Sequence, residues 1–461
     1  MGHSPNTALR DLIELSGASR KALAHRINEL AAASGHATSY THTSVANWVT
    51  RGMVPRPPAP ELLARALSER LGRPVSLAEI GLGNAVRIGQ HVGLEFPRPL
   101  PAAIGAATAF WSSMDRRTFL STAFTATAFG PPTLRWMSQP ADEAAAHKGG
   151  GRRIGRADIA ELVEIGEQAR HADSRWGGGS PGVSVVGACL RDVAAPMLRG
   201  TYTDQVGRDL FAATAALGRL AGWTAFDNGE HALAQRHYVQ ALRMARAAGG
   251  VDLGGYVLVC MGLQASLRGF HDEALDMVEA ALSATRTTAS PRVRAFFHLI
   301  EARVHARTQR PRAAGRALAA SENLLSVAGN RSGDDPGWID FYTHARLAAD
   351  AVEIHRDLGQ PHLALEWNTR ASMPTDRFAR SYGLRLAVLA TAHVQQGDLD
   401  AALPAANESV DVLSRVRSRR AVGYLHDLAH RLSPHGGKPE VRETIRRVIS
   451  GQSPQPTTPL A

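Results

Sequence analysis

The sequence has 461 residues and a formal net charge of +10, with 44% hydrophobic and only 6% aromatic residues. At roughly 100–200 residues per domain this length allows two to four domains, and a core of Ala, Leu and Val favours helix over strand. Two cysteines, Cys189 and Cys260, exclude a disulfide framework and a Cys-rich zinc site, and no apolar run reaches the ~18 residues of a membrane-spanning helix.

A reduced, cytoplasmic protein without cofactor or metal is therefore expected. Lysine occurs only at Lys21, Lys148 and Lys438, so nearly all of the 52 basic residues are arginine. Residues 1–117 hold 13 basic and 8 acidic side chains, and the remaining charge excess is spread over three times that length. The front of the chain is the expected nucleic-acid surface.

Residues 6–82 read as a compact helical unit. Ser19 precedes a helix over Arg20–Ile27 with apolar positions at Ala22, Leu23, Ile27 and Leu30. A second helix runs from Thr41 through Val45 and Trp48 to an Arg51–Gly52 stop, and a proline turn leads to a Leu-rich third over Glu61–Leu71. This order resembles the Xre/Cro-repressor class of helix-turn-helix domains. By that resemblance Thr43–Thr50 is the recognition helix, with Val45 and Trp48 facing the core. His42, Thr43, Ala46 and Asn47 would then enter the major groove, and Arg20, Lys21 and Arg51 would lie near backbone phosphates. Leu23 and Val45 stand 22 apart, about twice the family's spacing, so residues 31–40 form an inserted helix or loop. The competing reading is a three-helix docking or dimerisation module.

Residues 91–150 are rich in Pro, Ala and Gly and read as a linker with one apolar segment. Within it, Asp115-Arg-Arg-Thr-Phe-Leu120 resembles a twin-arginine export signal but lies far from the N-terminus, so an apolar linker helix is expected. Translation starting at Met114 would yield an export-type precursor.

From 151 to 450 the chain is helix-periodic and repeats itself. Gly229, Gly269, Gly359 and Gly397 are each followed five positions later by Ala, and seven positions after that by another small residue. A fifth, weaker copy runs from Gln309 through Ala314 to Ser321. The glycine ends one helix by its tolerance of positive φ, and the small residues admit a neighbouring helix. The pattern resembles the tetratricopeptide repeat, although the copies start 38 to 50 residues apart against a usual period of about 34. Residues 451–461 read as a disordered tail.

The expected fold is thus all-α: an N-terminal helix-turn-helix domain over 1–90, a linker over 91–150 and a tetratricopeptide-like α-solenoid over 151–450. The chain resembles actinobacterial regulators of differentiation and secondary metabolism that join these two domains, including in the stretch Leu220–Asp227. The resemblance implies a regulator that binds duplex DNA as a homodimer and takes a peptide or protein signal in the concave groove. The first helix of each repeat would line that groove, with Tyr256, Arg294, His298, Arg303, Tyr342, His344, Arg346, Arg385 and His393. Several Arg and His there would favour an acidic partner. The alternative function is a cytoplasmic scaffold that contacts protein rather than DNA. No enzyme is expected: His426 and His430 lack a third metal ligand, and Gly177–Ser180 lacks the lysine and spacing of a phosphate loop.

Overall fold

The computed structural model describes residues 5–33, 38–55, 58–77, 79–82, 91–113, 123–329, 335–372 and 378–450. The twin-arginine-like segment, Met114 and the 451–461 tail lie outside them. Contacts divide the chain into two compact units, the first ending at Val92 and the second beginning at Gly93. Both are all-α. Strand among the described residues is limited to a short pairing of His147–Lys148 with Thr201–Tyr202 and a bridge from Arg153 to Thr201.

In the first unit α1 (Thr7–Ser16), α2 (Arg20–Ala33), α3 (His42–Thr50) and α4 (Ala59–Leu71) enclose one core. Leu9, Leu23, Ile27, Val45, Leu63 and Leu67 are almost wholly buried in it. Asn6 ties both ends of the unit together. Its side chain accepts from Leu9 N–H to cap α1 and donates to the Ile80 carbonyl at 2.9 Å. The α2–α3 pair is the helix-turn-helix.

The second unit is a solenoid of antiparallel helix pairs. The helices are α5 (Leu100–Ser113), α6 (Gly130–Ser138), α7 (Arg156–Trp176) and α8 (181–198, with a π turn over Leu190–Ala194). The repeat pairs follow: α9 (Asp204–Asp227) with α10 (His231–Ala248), α11 (Val251–Leu267) with α12 (His271–Ala284), and α13 (Pro291–Arg307) with α14 (Pro311–Ala328). Then come α15 (His344–Asp357) with α16 (Pro361–Asn368), α17 (Ala379–Gln396) with α18 (Leu399–Leu413), and α19 (Arg419–Leu432) with α20 (Pro439–Ser450).

The repeat turns adopt the expected conformation. Gly229, Gly269, Gly359 and Gly397 have φ between 66° and 87°, and Gln309, in the fifth copy, has φ 55°. Gln309 is the one non-glycine residue with positive φ among the described residues. Small positions of the second helices, including Ala234, Ala241, Ala274, Ala281, Ala364 and Ala402, are almost fully buried, whereas Ala371 of the Gly359 copy lies past the end of α16 and is half-buried. Where the second position is serine it bonds the partner helix: Ser321 donates to the Ala295 carbonyl at 2.6 Å and Ser409 to that of Gly383 at 2.8 Å.

Residues 93–113 and 123–150, read from the sequence as linker, belong to this second unit. They cover the outer face of α10, and the polar side chains of α10 hold them. Gln240 donates to the carbonyls of Gly93 and Glu95, and Arg243 to those of Pro97 and Arg98. Gln235 exchanges bonds with the backbone of Thr125, and Arg246 pairs with Asp142 at 2.7 Å. Phe96, Phe110, Trp111 and Trp136 supply the apolar burial that holds this segment in place.

Candidate functional sites

The first candidate is the exposed start of α3. Thr41, in extended conformation, precedes the helix, and its N–H donates to Ser44 Oγ at 3.2 Å. Val45, Trp48 and Val49 are buried, and Tyr40 packs edge-on against Trp48. That leaves His42 and Thr43 exposed, with Ala46 and Asn47 half-buried beside them. The approach to the helix is fixed by Asn28, which sequence reasoning did not single out. Its amide donates to the Tyr40 carbonyl and accepts from Tyr40 N–H and Thr38 Oγ1, each at 2.9 Å.

Charge pairing separates the basic residues of this unit. Arg10, Arg26, Arg65 and Arg73 each pair with a carboxylate. Arg20 and Lys21, at the exposed start of α2, Arg51, at the end of α3, and Arg70, in the last turn of α4, form no ion pair among the described residues. A cation left unpaired at a helix end is available to an external anion.

The second candidate is a cavity of about 160 Å³ inside the solenoid. It is lined from α7, α9, α11, α13, α15, α17 and α19, the first helix of each pair. The solenoid closes on itself around it. Arg380 of α17 grips Asp173 of α7 through two bonds of 2.7 and 2.8 Å and also reaches Asp227 of α9. Arg420 of α19 donates to the same Asp227 at 3.0 Å. The Gly177–Gly179 tract passes through the seam: a Cβ at Gly178 would come within 2.7 Å of the Thr224 carbonyl oxygen. Its backbone instead donates from Gly178 N–H to Asp227 and from Gly179 N–H to the Arg417 carbonyl. Within the stretch Leu220–Asp227, Trp223 and Asp227 stand at this seam.

The cavity walls are apolar and aromatic, with Leu220, Trp223, Val259, Leu263, Phe296 and Trp338 among them. Its charged residues are seven arginines against three carboxylates. Each carboxylate is already taken, Asp173 by Arg380, Asp350 by Arg303 and Arg346, and Glu353 by Arg303 and Arg307. Burial raises the Glu353 carboxyl, but Arg303, Arg307 and Arg356 outweigh it and hold the group at about 2.

Tyr256, Arg303, Arg346 and Arg385 of the expected groove residues line the cavity. Arg294, His298, Tyr342, His344 and His393 are not among the lining residues. On α13 the inward stripe is Phe296, Leu299, Ile300 and Arg303, so the helical phase turns 294 and 298 to the other side. His298 pairs with Glu301 at 2.8 Å, and the buried Tyr342 hydroxyl bonds Ser321. Arg219, Trp223, Asp173, Arg380 and Trp338 were not anticipated. The Arg219–Trp223 spacing of four puts both on one helix face and was the available signal.

Residues 9–83 match the SP15 N-terminal domain. No curated protein matches the chain. The SP15-like region spans α1 to α4 almost completely and stops short of the repeat unit. No helix among the described residues is long and apolar enough to cross a membrane, and none of them form a cluster of three metal-ligating side chains. Asp427, between His426 and His430, pairs with Arg356 and Arg431.

Proposed function

We propose that the chain is a DNA-binding transcriptional regulator whose helical-repeat unit receives a signal and mediates dimerisation. The observation that carries this is that three unpaired cations, Arg20, Lys21 and Arg51, stand at the helix ends of a helix-turn-helix whose second helix exposes His42 and Thr43. Asn47, half-buried on the same helix, is the residue for bidentate pairing with adenine. A single domain of this size reaches too few base pairs for tight specific binding, so a dimer on a two-fold site fits best. The signal expected from the sequence is a peptide or protein; the dimensions of the cavity favour a smaller occupant.

The experiment is a genome-wide DNA pull-down with the intact protein. Enrichment of a discrete set of sites that Asn47→Ala abolishes supports the regulator. Capture of no sequence above background in low salt gives the chain to the scaffold reading, in which the repeats bind protein and the front unit docks rather than reads.

A further inference from the structure

Arg219 is 8% exposed, lines the cavity from the middle of α9, bonds the side chain of Cys260, and forms no ion pair among the described residues. Its guanidinium lies 4.8 Å from the centre of the Tyr256 ring, which also stacks on Trp338 at 4.7 Å and meets Phe296 edge-on at 5.7 Å. That cation–π contact offsets only part of the cost of holding a charge away from water. Arginine cannot shed its proton to escape that cost. The charge of Asp173 favours the Arg219 cation, but Asp173 is bonded to Arg380, and the other carboxylates of the cavity are likewise paired with other arginines. Its guanidinium, with five donors, borders a space walled by Leu220, Val259, Leu263 and Phe296.

A bare inorganic anion would lose its hydration there without return from those walls. An anion carrying its own apolar body would not. At about 160 Å³ the space is close to the ~150 Å³ of an engineered apolar cavity that holds benzene. We propose that the cavity takes a small-molecule carboxylate with an apolar body about the size of one aromatic ring, with Arg219 as its counter-ion. The inference rests on the reading of the repeat unit as the signal receiver and names the chemistry of the signal. Charge-assisted pairing to a planar guanidinium supplies the selectivity, and the aromatic walls supply the affinity.

The test titrates the full-length protein with 3-phenylpropionate and with its neutral amide, 3-phenylpropanamide, by calorimetry and ligand-observed NMR. The acid should bind about tenfold more tightly than the amide, because only the acid gives the buried guanidinium a charged partner. Arg219→Met should erase that difference and Arg219→Lys should restore part of it, while Val259→Trp, which fills the space, should abolish binding of both. Equal binding of acid and amide to the wild type, which needs no variant to fold, overturns the proposal. So does an acid preference that survives Arg219→Met, or binding that survives Val259→Trp. Tighter binding of the tripeptide Gly-Gly-Phe than of the free acid would give the site to a peptide C-terminus instead. DNA capture measured on the same preparation reads separately: its loss alone counts against the regulator, and loss of the acid preference alone counts against this occupant.

Discussion

Gln309 and Gly359 hold the same left-handed backbone conformation, at φ 55° and 66°, each at the turn between the two helices of a repeat pair. Glycine does so without a steric penalty. A side chain with a Cβ costs roughly 1–2 kcal/mol there, and Gln309 offsets part of it by donating from its amide to the Asp357 carbonyl at 2.7 Å.

Gln309→Gly should therefore leave stability within about 1 kcal/mol of wild type, relief of strain balancing the lost bond and the added freedom of the unfolded chain. Gln309→Val, β-branched and unable to make the bond, should destabilise by about 2 kcal/mol or more. Urea unfolding of the pair checks both, and equal stability of the two variants would contradict the strain argument.

Arg380→Met removes the cation that closes the solenoid and leaves Asp173 buried without it. Stability should fall by about 3–5 kcal/mol, as expected when one partner of a buried pair is lost. Glu408→Gln, which touches the exposed bond to Tyr382, should cost less than about 1 kcal/mol. Thermal melts compare the two; a similar small loss in both would mean the seam carries little of the stability.

Acid should destabilise the protein from just below neutral pH, through its buried histidines. Burial pushes the His237 imidazole down to about 3, and burial with help from Arg268 pushes His231 down to about 4. The unfolded chain takes up these protons near pH ~6.5 and the folded chain refuses them, so this stability is complete above ~6.5 and falls as pH drops toward the folded values. For His237 alone the loss between pH 6.5 and 5 is roughly 2 kcal/mol. Glu353 acts in a lower window, losing its contribution as pH falls from ~4.5 through about 2. Chemical unfolding across pH 5–7.5 should show the slope, reduced in His237→Leu; a flat profile would place these imidazoles in contact with water.

On a specific DNA site Asn47→Ala should cost about 1–3 kcal/mol, whereas Arg51→Ala should weaken all sequences alike and reduce the salt slope by about one. Asn28→Ala contacts no DNA in this scheme, yet should weaken specific binding by loosening residues 38–40 ahead of α3. Fluorescence anisotropy at several salt concentrations separates the three. Equal losses on random and specific DNA for Asn47→Ala would remove it from base readout.

The helices and their turns were legible because they obey local rules. The Gly229, Gly269, Gly359 and Gly397 copies, and even the glycine-less copy at Gln309, mark real turns, since chain reversal leaves the same demand on φ each time. The burial of Val45 and Trp48, expected from the helix-turn-helix resemblance, agrees with their spacing of three on one helix face. What stayed hidden depends on partners distant in sequence. Gln240 and Arg243 look like a solvated helix face until residues 93–98 are laid across them, because bonds from side chains to remote carbonyls leave no pattern of their own. The cavity follows the same logic. That first helices would line it could be read from the repeat, but Arg294 and His298 share a sequence neighbourhood with Arg303 and not its helical phase.

The seam between Asp173 and Arg380 joins positions 207 residues apart, and this changes how the solenoid comes undone. An open array of helix pairs frays from its ends, each pair contributing its own stability plus one interface. Here the first two pairs are bonded to the last two, Arg380 to Asp173 and Arg420 to Asp227, so α7 and α19 are not free to peel. Local openings near α7 and α19 then require breaking a contact of very long loop, and amide exchange there should track global unfolding rather than terminal fraying. Refolding must likewise wait for that last encounter, which makes ring formation a late and slow event in a fold otherwise built from neighbours.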